Sequence, residues 1–278
     1  MSSLRRQPLL NKLQIKGPVW LASDMHLNES NTATASAFYA FLGRAENEAS
    51  ALFLLGDIFD VWVGDDVIKH PAPWLQSALE ALSKCAARIP VYVGLGNRDF
   101  LIGKALTDYI GAHALAEQTL LSVGATQALI SHGDEYCTLD HSYQRFKWWV
   151  RQPWVQWAFQ CLSLSKRLKI AAQARAQSMK KMVLAMQSPH HPSAHILDVS
   201  DDAVIDCFVK KGVRTLIHGH THRPGQHTYK VNSQTCTRWV LPDWEYDHLT
   251  DSALPRGGFL ILNDQGIELV LENKKSNN

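Results

Sequence analysis

Asp24 with His26, Asp57, Asn97, His132, and His220 with His222 are all side chains that bind divalent metal ions, and each lies at the end of a short apolar run. Residues 19–23 lead into Asp24-Met25-His26, 51–55 into Gly56-Asp57, and 91–95 into Gly96-Asn97-Arg98-Asp99. Residues 128–131 lead into His132-Gly133-Asp134, and 214–217 into His218-Gly219-His220-Thr221-His222. Seven ligands exceed what one four-coordinate ion takes. They suit two ions sharing a carboxylate, with positions left for water and substrate. Carboxylate, amide oxygen and imidazole without thiolate fit Mn, Fe or Zn. Two such ions lower the pKa of a water from about 15.7 to about 7 and clamp the oxygens of an in-line displacement at phosphorus. Taken singly, three of the motifs have plainer explanations, while two imidazoles as close as those of Gly-His-x-His rarely serve packing. Asp-x-His and Gly-Asp are ordinary turns, and Asn97-Arg98-Asp99 could cap a helix. Their shared context points to chemistry instead.

Apolar runs of this length closed by Gly-containing turns predict buried strands. In open α/β sheets functional groups collect beyond the carboxyl ends of the strands, so the five segments are expected at one edge of one sheet. Further strands are predicted at 238–241, 258–262 and 267–271, the last two joined as a hairpin through Asn263-Asp264-Gln265-Gly266. These three are expected to complete a second sheet.

A chain of 278 residues, 46% hydrophobic, can bury one core and accommodate an insertion. The net charge of +2 points to no particular partner. Five scattered cysteines suggest free thiols in a reducing, cytoplasmic setting. Arg5 and Arg6 are not followed by the apolar core of a signal peptide, and no run approaches the roughly 20 apolar residues of a membrane span. Residues 1–16 and 273–278 are expected to be loose ends.

Residues 141–187 depart from this average, with no Asp or Glu. They hold Arg145, Lys147, Arg151, Lys166, Arg167, Lys169, Arg175, Lys180 and Lys181 beside Trp148, Trp149, Trp154 and Trp157. The spacing predicts helices with a break near Pro153 and an end at Ser188-Pro189. Residues 141–195 are thus expected as a helical cap inserted between core segments 17–140 and 196–272. The histidines of its final loop, His190, His191 and His195, are expected in solvent. Such a cap could be a solvated basic face over an aromatic core or an interface for anionic lipid. It could also grip nucleic acid through phosphate contacts and stacking. Composition does not choose between them.

The five motifs resemble those of the calcineurin-like metallophosphoesterases: Asp-x-His, Gly-Asp, Gly-Asn-[His/Arg]-[Asp/Glu], an isolated His and Gly-His-x-His. Arg98 stands where many members have His. Longer matches at 56–66, 96–104, 137–140, 143–144, 153–154 and 218–224 resemble a branch of that family acting on the pyrophosphate of UDP-linked diacylglucosamine lipids in lipid A biosynthesis. The likeness runs over about residues 19–244.

The resemblance implies an α/β fold, a β-sandwich flanked by helices (α-β-β-α) with a helical cap insertion. It implies two divalent ions, Mn2+ foremost, one on Asp24, His26, Asp57 and His222, the other on Asp57, Asn97, His132 and His220. Asp57, Asn97 and Arg98 would be catalytic. Asn97, Arg98, Asp140, Ser178 and His220 would contact substrate. It further implies a UDP-linked lipid as substrate, an anionic membrane surface on the cytoplasmic face of the inner membrane as partner, and no nucleic acid. Where the family's cap carries Ser, Asn and Lys on one helix face, this chain has Ser178, Met182 and Ala185, with Lys180 and Lys181 nearby. Asp99 and Asp134 are expected either to orient imidazoles or to form turns, and His218 to pack. A phosphodiesterase acting on nucleotides or nucleic acid would share every ligand, and that alternative stays open on sequence.

Overall fold

The computed structural model describes residues 11–186, 198–248 and 256–272. One sheet contains β2 (Val19–Ala22), β3 (Ala51–Leu54), β4 (Val91–Val93), β5 (His113–Ala114), β11 (Gly258–Asn263) and β12 (Gly266–Leu271), in the order β12-β11-β2-β3-β4-β5. Its central strands β2 to β5 run parallel, and the β11–β12 hairpin pairs antiparallel on β2. The other sheet contains β1 (Asn11–Ile15), β6 (Gln118–Val123), β7 (Thr126–Ser131), β8 (Thr215–His218), β9 (Gly225–Val231) and β10 (Gln234–Val240), in the order β1-β6-β7-β8-β10-β9.

Side-chain alternation along each strand builds the layers. On β2, Val19 and Leu21 face the interior between the sheets, where they join Phe53, Leu121, Ile130, Ile217 and Leu260. Trp20 and Ala22 face outward and are covered by α1 (Thr32–Glu48) and α2 (Pro73–Ala86) through Phe38, Phe41, Leu79 and Leu82. Trp20 stacks on Phe259 at 4.2 Å and on Phe41 at 5.7 Å between ring centroids. α3 (Lys104–Ile110) adds Leu106 and Ile110 to that layer. Across the sandwich, Leu120, Leu129 and Leu216 meet Val204 and Phe208 of α7 (Asp201–Lys211). The result is the α-β-β-α sandwich that the resemblance implied.

The acid-free stretch forms α4 (His141–Val150), α5 (Pro153–Gln160) and α6 (Leu164–Met186). The break falls where Pro153 opens α5, as expected, and a second follows at Cys161–Ser163. The expected helix end at Ser188-Pro189 and the histidine loop lie outside the described residues. Among the described residues no helix is long and apolar enough to cross a membrane.

Three expectations are corrected. The five metal-motif strands do not share one sheet: β2, β3 and β4 belong to one, β7 and β8 to the other. Strands buried on both faces give continuous apolar runs, which reveal burial but not sheet membership. Residues 11–15, expected in a loose end, pair in parallel with β6 and turn Leu13 and Ile15 toward the inter-sheet core. The three late strands do not complete a separate sheet: the one expected at 238–241 is the end of β10, which pairs with β8 and β9, while the expected hairpin β11–β12 forms but joins β2. The β10 partner β9 went unpredicted. The turn between them, Asn232-Ser233, has both residues at positive φ, as a tight hairpin requires.

Two glycines let the strand ends approach closely. Gly56 has φ +105°, and a Cβ there would lie 2.4 Å from the backbone nitrogen of Gly96. A Cβ on Gly96 would meet Asp57 Oδ1 at 2.0 Å. Gly56→Ala is therefore expected to cost at least about 1–3 kcal/mol, read as a lowered urea midpoint, with metal retention falling in parallel. An unchanged midpoint would contradict this packing.

Candidate metal centre and active site

The seven predicted ligands converge where the carboxyl ends of the two sheets meet. Five of them, Asp24, His26, Asp57, His220 and His222, have φ between 49° and 67°. Left-handed backbone is uncommon for non-glycine residues and costs roughly 1–2 kcal/mol each. It turns each side chain sharply off the strand axis toward a common centre. Backbone hydrogen bonds hold these turns: His26 N–H donates to Asp57 O, and His220 N–H to Asp24 Oδ2.

His26 Nε2 lies 3.4 Å from His222 Nε2, and His222 Nε2 lies 3.4 Å from Asp24 Oδ1. Asp57 Oδ2 is 3.9 Å from His26 Nδ1 and 3.8 Å from His132 Nε2. Asn97 Oδ1 lies 3.2 Å from His132 Nε2 and 3.0 Å from His220 Nδ1. Asp57 therefore sits between a group with His26 and a group with His132. Asp24–His26–His222 and Asp24–Asp57–His132 each gather ligand atoms within 4.8 Å of one another. Asp24 Oδ1 and His26 Nδ1 are buried without a hydrogen-bond partner. Such orphaned atoms are costly unless something binds them. The donor set and its orphans fit divalent cations.

Charges in the cluster are strongly perturbed. Burial opposes ionisation of Asp24, but the close approach and charge of His222 hold it well below the usual carboxylate range. Burial raises Asp57 against the pull of His132. His132, penalised by burial, is nevertheless held at about 9 by Asp57, Asp24 and Asp134. His220 is pushed down to about 3 by burial and the charge of His132.

Outer contacts fix the imidazoles. His132 Nδ1–H donates to the Leu55 carbonyl at 3.1 Å, which leaves Nε2 toward the centre. His222 Nδ1 faces Asp243 Oδ2 at 3.4 Å, and Asp243 is itself held by the guanidinium of Arg256. Asp243 was missed on sequence; it lies just past the end of β10, in no motif that spacing could single out. Among the described contacts, neither Asp99 nor Asp134 hydrogen-bonds an imidazole. Asp99 accepts the backbone N–H groups of Gly96, Asp57 and Ile58 and so ties the β3 and β4 turns together. Asp134 accepts from Tyr143 Oη at 2.6 Å and pairs with Lys147 at 2.9 Å, which anchors α4. His218 packs, as expected: it is fully buried, and burial pushes it down to about 3.

Arg98 is bound to the same loop. Its backbone N–H donates to Asp57 Oδ1 at 2.9 Å, and its Nη1 to Asp60 Oδ1 at 2.7 Å. Asp140 caps α4, accepting from Tyr143 N–H and Ser142 Oγ–H. Ser178 lies on α6, and its side chain is outside the described ones, as are those of Lys181, Met182 and Ala185.

The profile of the calcineurin-like phosphoesterases matches residues 17–224, and the chain belongs to that family. It is a metal-dependent hydrolase. Among curated relatives, a protein of Bordetella pertussis named UDP-2,3-diacylglucosamine hydrolase is 48% identical over 259 residues, 93% of this chain and 96% of that one. Proteins of the same name from Ralstonia nicotianae and Pseudomonas putida are 39% and 35% identical. They cover 92% and 91% of this chain, and 93% and 98% of their own.

Ions and protons compete for these ligands, since a bound histidine must be neutral and a bound carboxylate ionised. As metal ligands, His132 at about 9 and the raised Asp57 would both give up protons on binding. Divalent-metal affinity should therefore climb with pH between about 6 and 9, at close to tenfold per unit for each proton displaced. Calorimetry in two buffers of different ionisation enthalpy reads the released protons. A flat profile would contradict this charge assignment.

Proposed function

We propose that the chain hydrolyses the pyrophosphate bond of UDP-2,3-diacylglucosamine, giving UMP and 2,3-diacylglucosamine 1-phosphate. Water adds to the α-phosphorus, and the bond to the bridging oxygen breaks. What supports the reading is one observation: the seven-ligand cluster with Arg98 beside it lies in a chain that aligns over 93% of its length with a relative of that name.

In this reading Asp24, His26, Asp57 and His222 would hold one ion, and Asp57, Asn97, His132 and His220 the other, with Mn2+ suited to the donors. When bound, the ions activate water and neutralise phosphoryl charge. Arg98 stabilises the charge that builds on the phosphoryl oxygens. Its side chain is 31% exposed, so one face of the guanidinium remains open to a ligand. Asn97, Asp140, Ser178 and His220 serve as further substrate contacts.

The helices α4 to α6 act as a cap that reads the lipid and rests on the cytoplasmic face of an anionic inner membrane. Phe146, Trp148, Trp149, Trp154 and Trp157 are exposed, with Leu168 and Ile170 on α6. Their basic neighbours divide into two sets. Lys147, Arg151, Arg167 and Arg175 reach inward to Asp134, Glu117, Asp66 and Asp60. Arg145, Lys166, Lys169 and Lys180 remain exposed. Basic residues of this kind contribute about 1 kcal/mol each near an anionic surface.

The direct test is mass-spectrometric detection of UMP from UDP-2,3-diacylglucosamine, run beside bis-p-nitrophenyl phosphate and cyclic nucleotides. Preference for the cyclic nucleotides would overturn the reading. Asp57→Ala should abolish both turnover and metal binding, because in this reading Asp57 is common to both ion sites. Arg98→Ala should lower kcat by about 10²–10³ with metal content intact; loss of metal in that variant would make Arg98 scaffold. Neutralising Arg145, Lys166 and Lys169 together should weaken binding to anionic vesicles, and salt should mimic the loss by screening. Vesicle binding that ignores both would remove the membrane from the account.

A further inference from the structure

Asp60 lies three residues after Asp57, is 7% exposed and touches none of the seven ligands through a hydrogen bond or ion pair among the described contacts. Its Oδ1 accepts Arg98 Nη1–H at 2.7 Å. The same oxygen pairs with Nη1 of Arg175, from α6. Two guanidiniums that would otherwise repel in a half-buried space thus converge on one carboxylate oxygen. Asp60 is itself fixed, since its backbone N–H donates to Leu27 O at 3.1 Å, beside His26. Trp62 N–H donates to Arg98 O at 3.2 Å, so the backbones of Arg98 and the Asp60 loop are joined as well. What the backbone does not fix is the direction of the long Arg98 side chain.

The helix α6 grips this loop twice. Arg167, in its first turn, is 2% exposed and donates to Val63 O at 2.6 Å and to both oxygens of Asp66. Gly64, at φ +134°, adopts backbone that other residues rarely take, and a Cβ there would lie 2.6 Å from Arg167 Nη1. Arg175 follows two turns later and lands on Asp60. The placement of α6 and the direction of Arg98 therefore meet at one carboxylate.

We propose that Asp60 is a positioning residue: its carboxylate aims Arg98 at the phosphoryl oxygens and, through Arg175, links that aim to the seating of α6. The inference rests on the reading of Arg98 as the group that stabilises phosphoryl charge. With Nη1 committed to Asp60 and Nε 3.7 Å from Asp57 Oδ2, Nη2 has no acceptor among the described contacts and is left to donate to the incoming anion. Arg175 neutralises what remains of the Asp60 charge, so that the acid does not repel the phosphates it serves.

The test is a double-mutant cycle on the manganese-loaded full chain, with metal content and urea midpoint measured for every variant. Asp60→Asn should lower kcat about tenfold, with KM within about twofold. In an Arg98→Ala background the same change should cost nothing further, and Asp60→Glu should restore part of the loss. Arg175→Met should lower kcat in the wild-type background and have no effect once Asp60→Asn is present. Additive effects would make Asp60 merely structural and overturn the proposal. Should Asp60→Asn fail to fold, the Asp60→Glu and Arg175→Met arms against Arg98→Ala decide the same question. Both UDP-2,3-diacylglucosamine and bis-p-nitrophenyl phosphate are used. Cleavage of only the diester would sink the substrate reading while leaving the cycle readable, and inertness toward both would overturn the cycle's premise as well.

Discussion

Four carboxylates, Asp24, Asp57, Asp99 and Asp134, are almost wholly buried at one end of the sandwich, and the need to compensate them organises everything around it. A buried carboxylate without partners would sooner take up a proton than stay charged. Two of the four are satisfied from within. Asp99 takes backbone N–H groups from both neighbouring turns, and Asp134 takes Tyr143 and Lys147 from α4. The other two are left open on the side that faces the histidines. Asp24 has one oxygen occupied by Ser23 Oγ–H and His220 N–H and one orphaned, while Asp57 has burial working against its charge. Structural acids and candidate ligand acids are thus separated by which lone pairs the fold has already used.

The backbone carries a matching cost. Five ligands in left-handed conformation oppose folding by several kcal/mol together, at roughly 1–2 each. Only a rigid frame keeps such turns, and the doubly covered sheets provide one. The strands that lead to the candidate ligands, β2, β3, β4, β7 and β8, are mostly buried. Convergence from two sheets, with β2 to β4 on one side and β7 and β8 on the other, places ligands around a centre. A single sheet edge would place them along a line.

Much of this was legible in the chain. The seven candidate ligands all come together, because each motif is local: an apolar run, a turn and a polar side chain. Sheet membership was not legible, since residues 19–22 and 51–54 are apolar on both faces and carry no mark of their neighbours. β1 did carry a mark, the alternation of Lys12 and Gln14 with Leu13 and Ile15, but it sits in a short polar end. Asp243 and Asp60 were invisible as partners because their roles depend on residues far away in sequence, His222 and Arg256 for one, Arg98 and Arg175 for the other. The acid-free stretch looked like a uniform basic face. Asp60, Asp66, Glu117 and Asp134, the acids that pair with four of its basic residues, all lie before residue 141.

The central claim is that the fold holds open carboxylates and strained turns for cations, at the expense of its own metal-free stability. The most direct measurement is urea unfolding of the wild type and of Asp57→Asn, each with and without saturating Mn2+. A ligand that binds only the folded state stabilises it by RT ln(1 + [L]/Kd), about 2.7 kcal/mol at one hundred times Kd. Wild type should therefore gain stability on metal addition, while Asp57→Asn should gain little and be at least as stable as wild type when both are metal-free. A metal-free Asp57→Asn protein that is markedly less stable than wild type, yet keeps the full metal shift, would contradict the account.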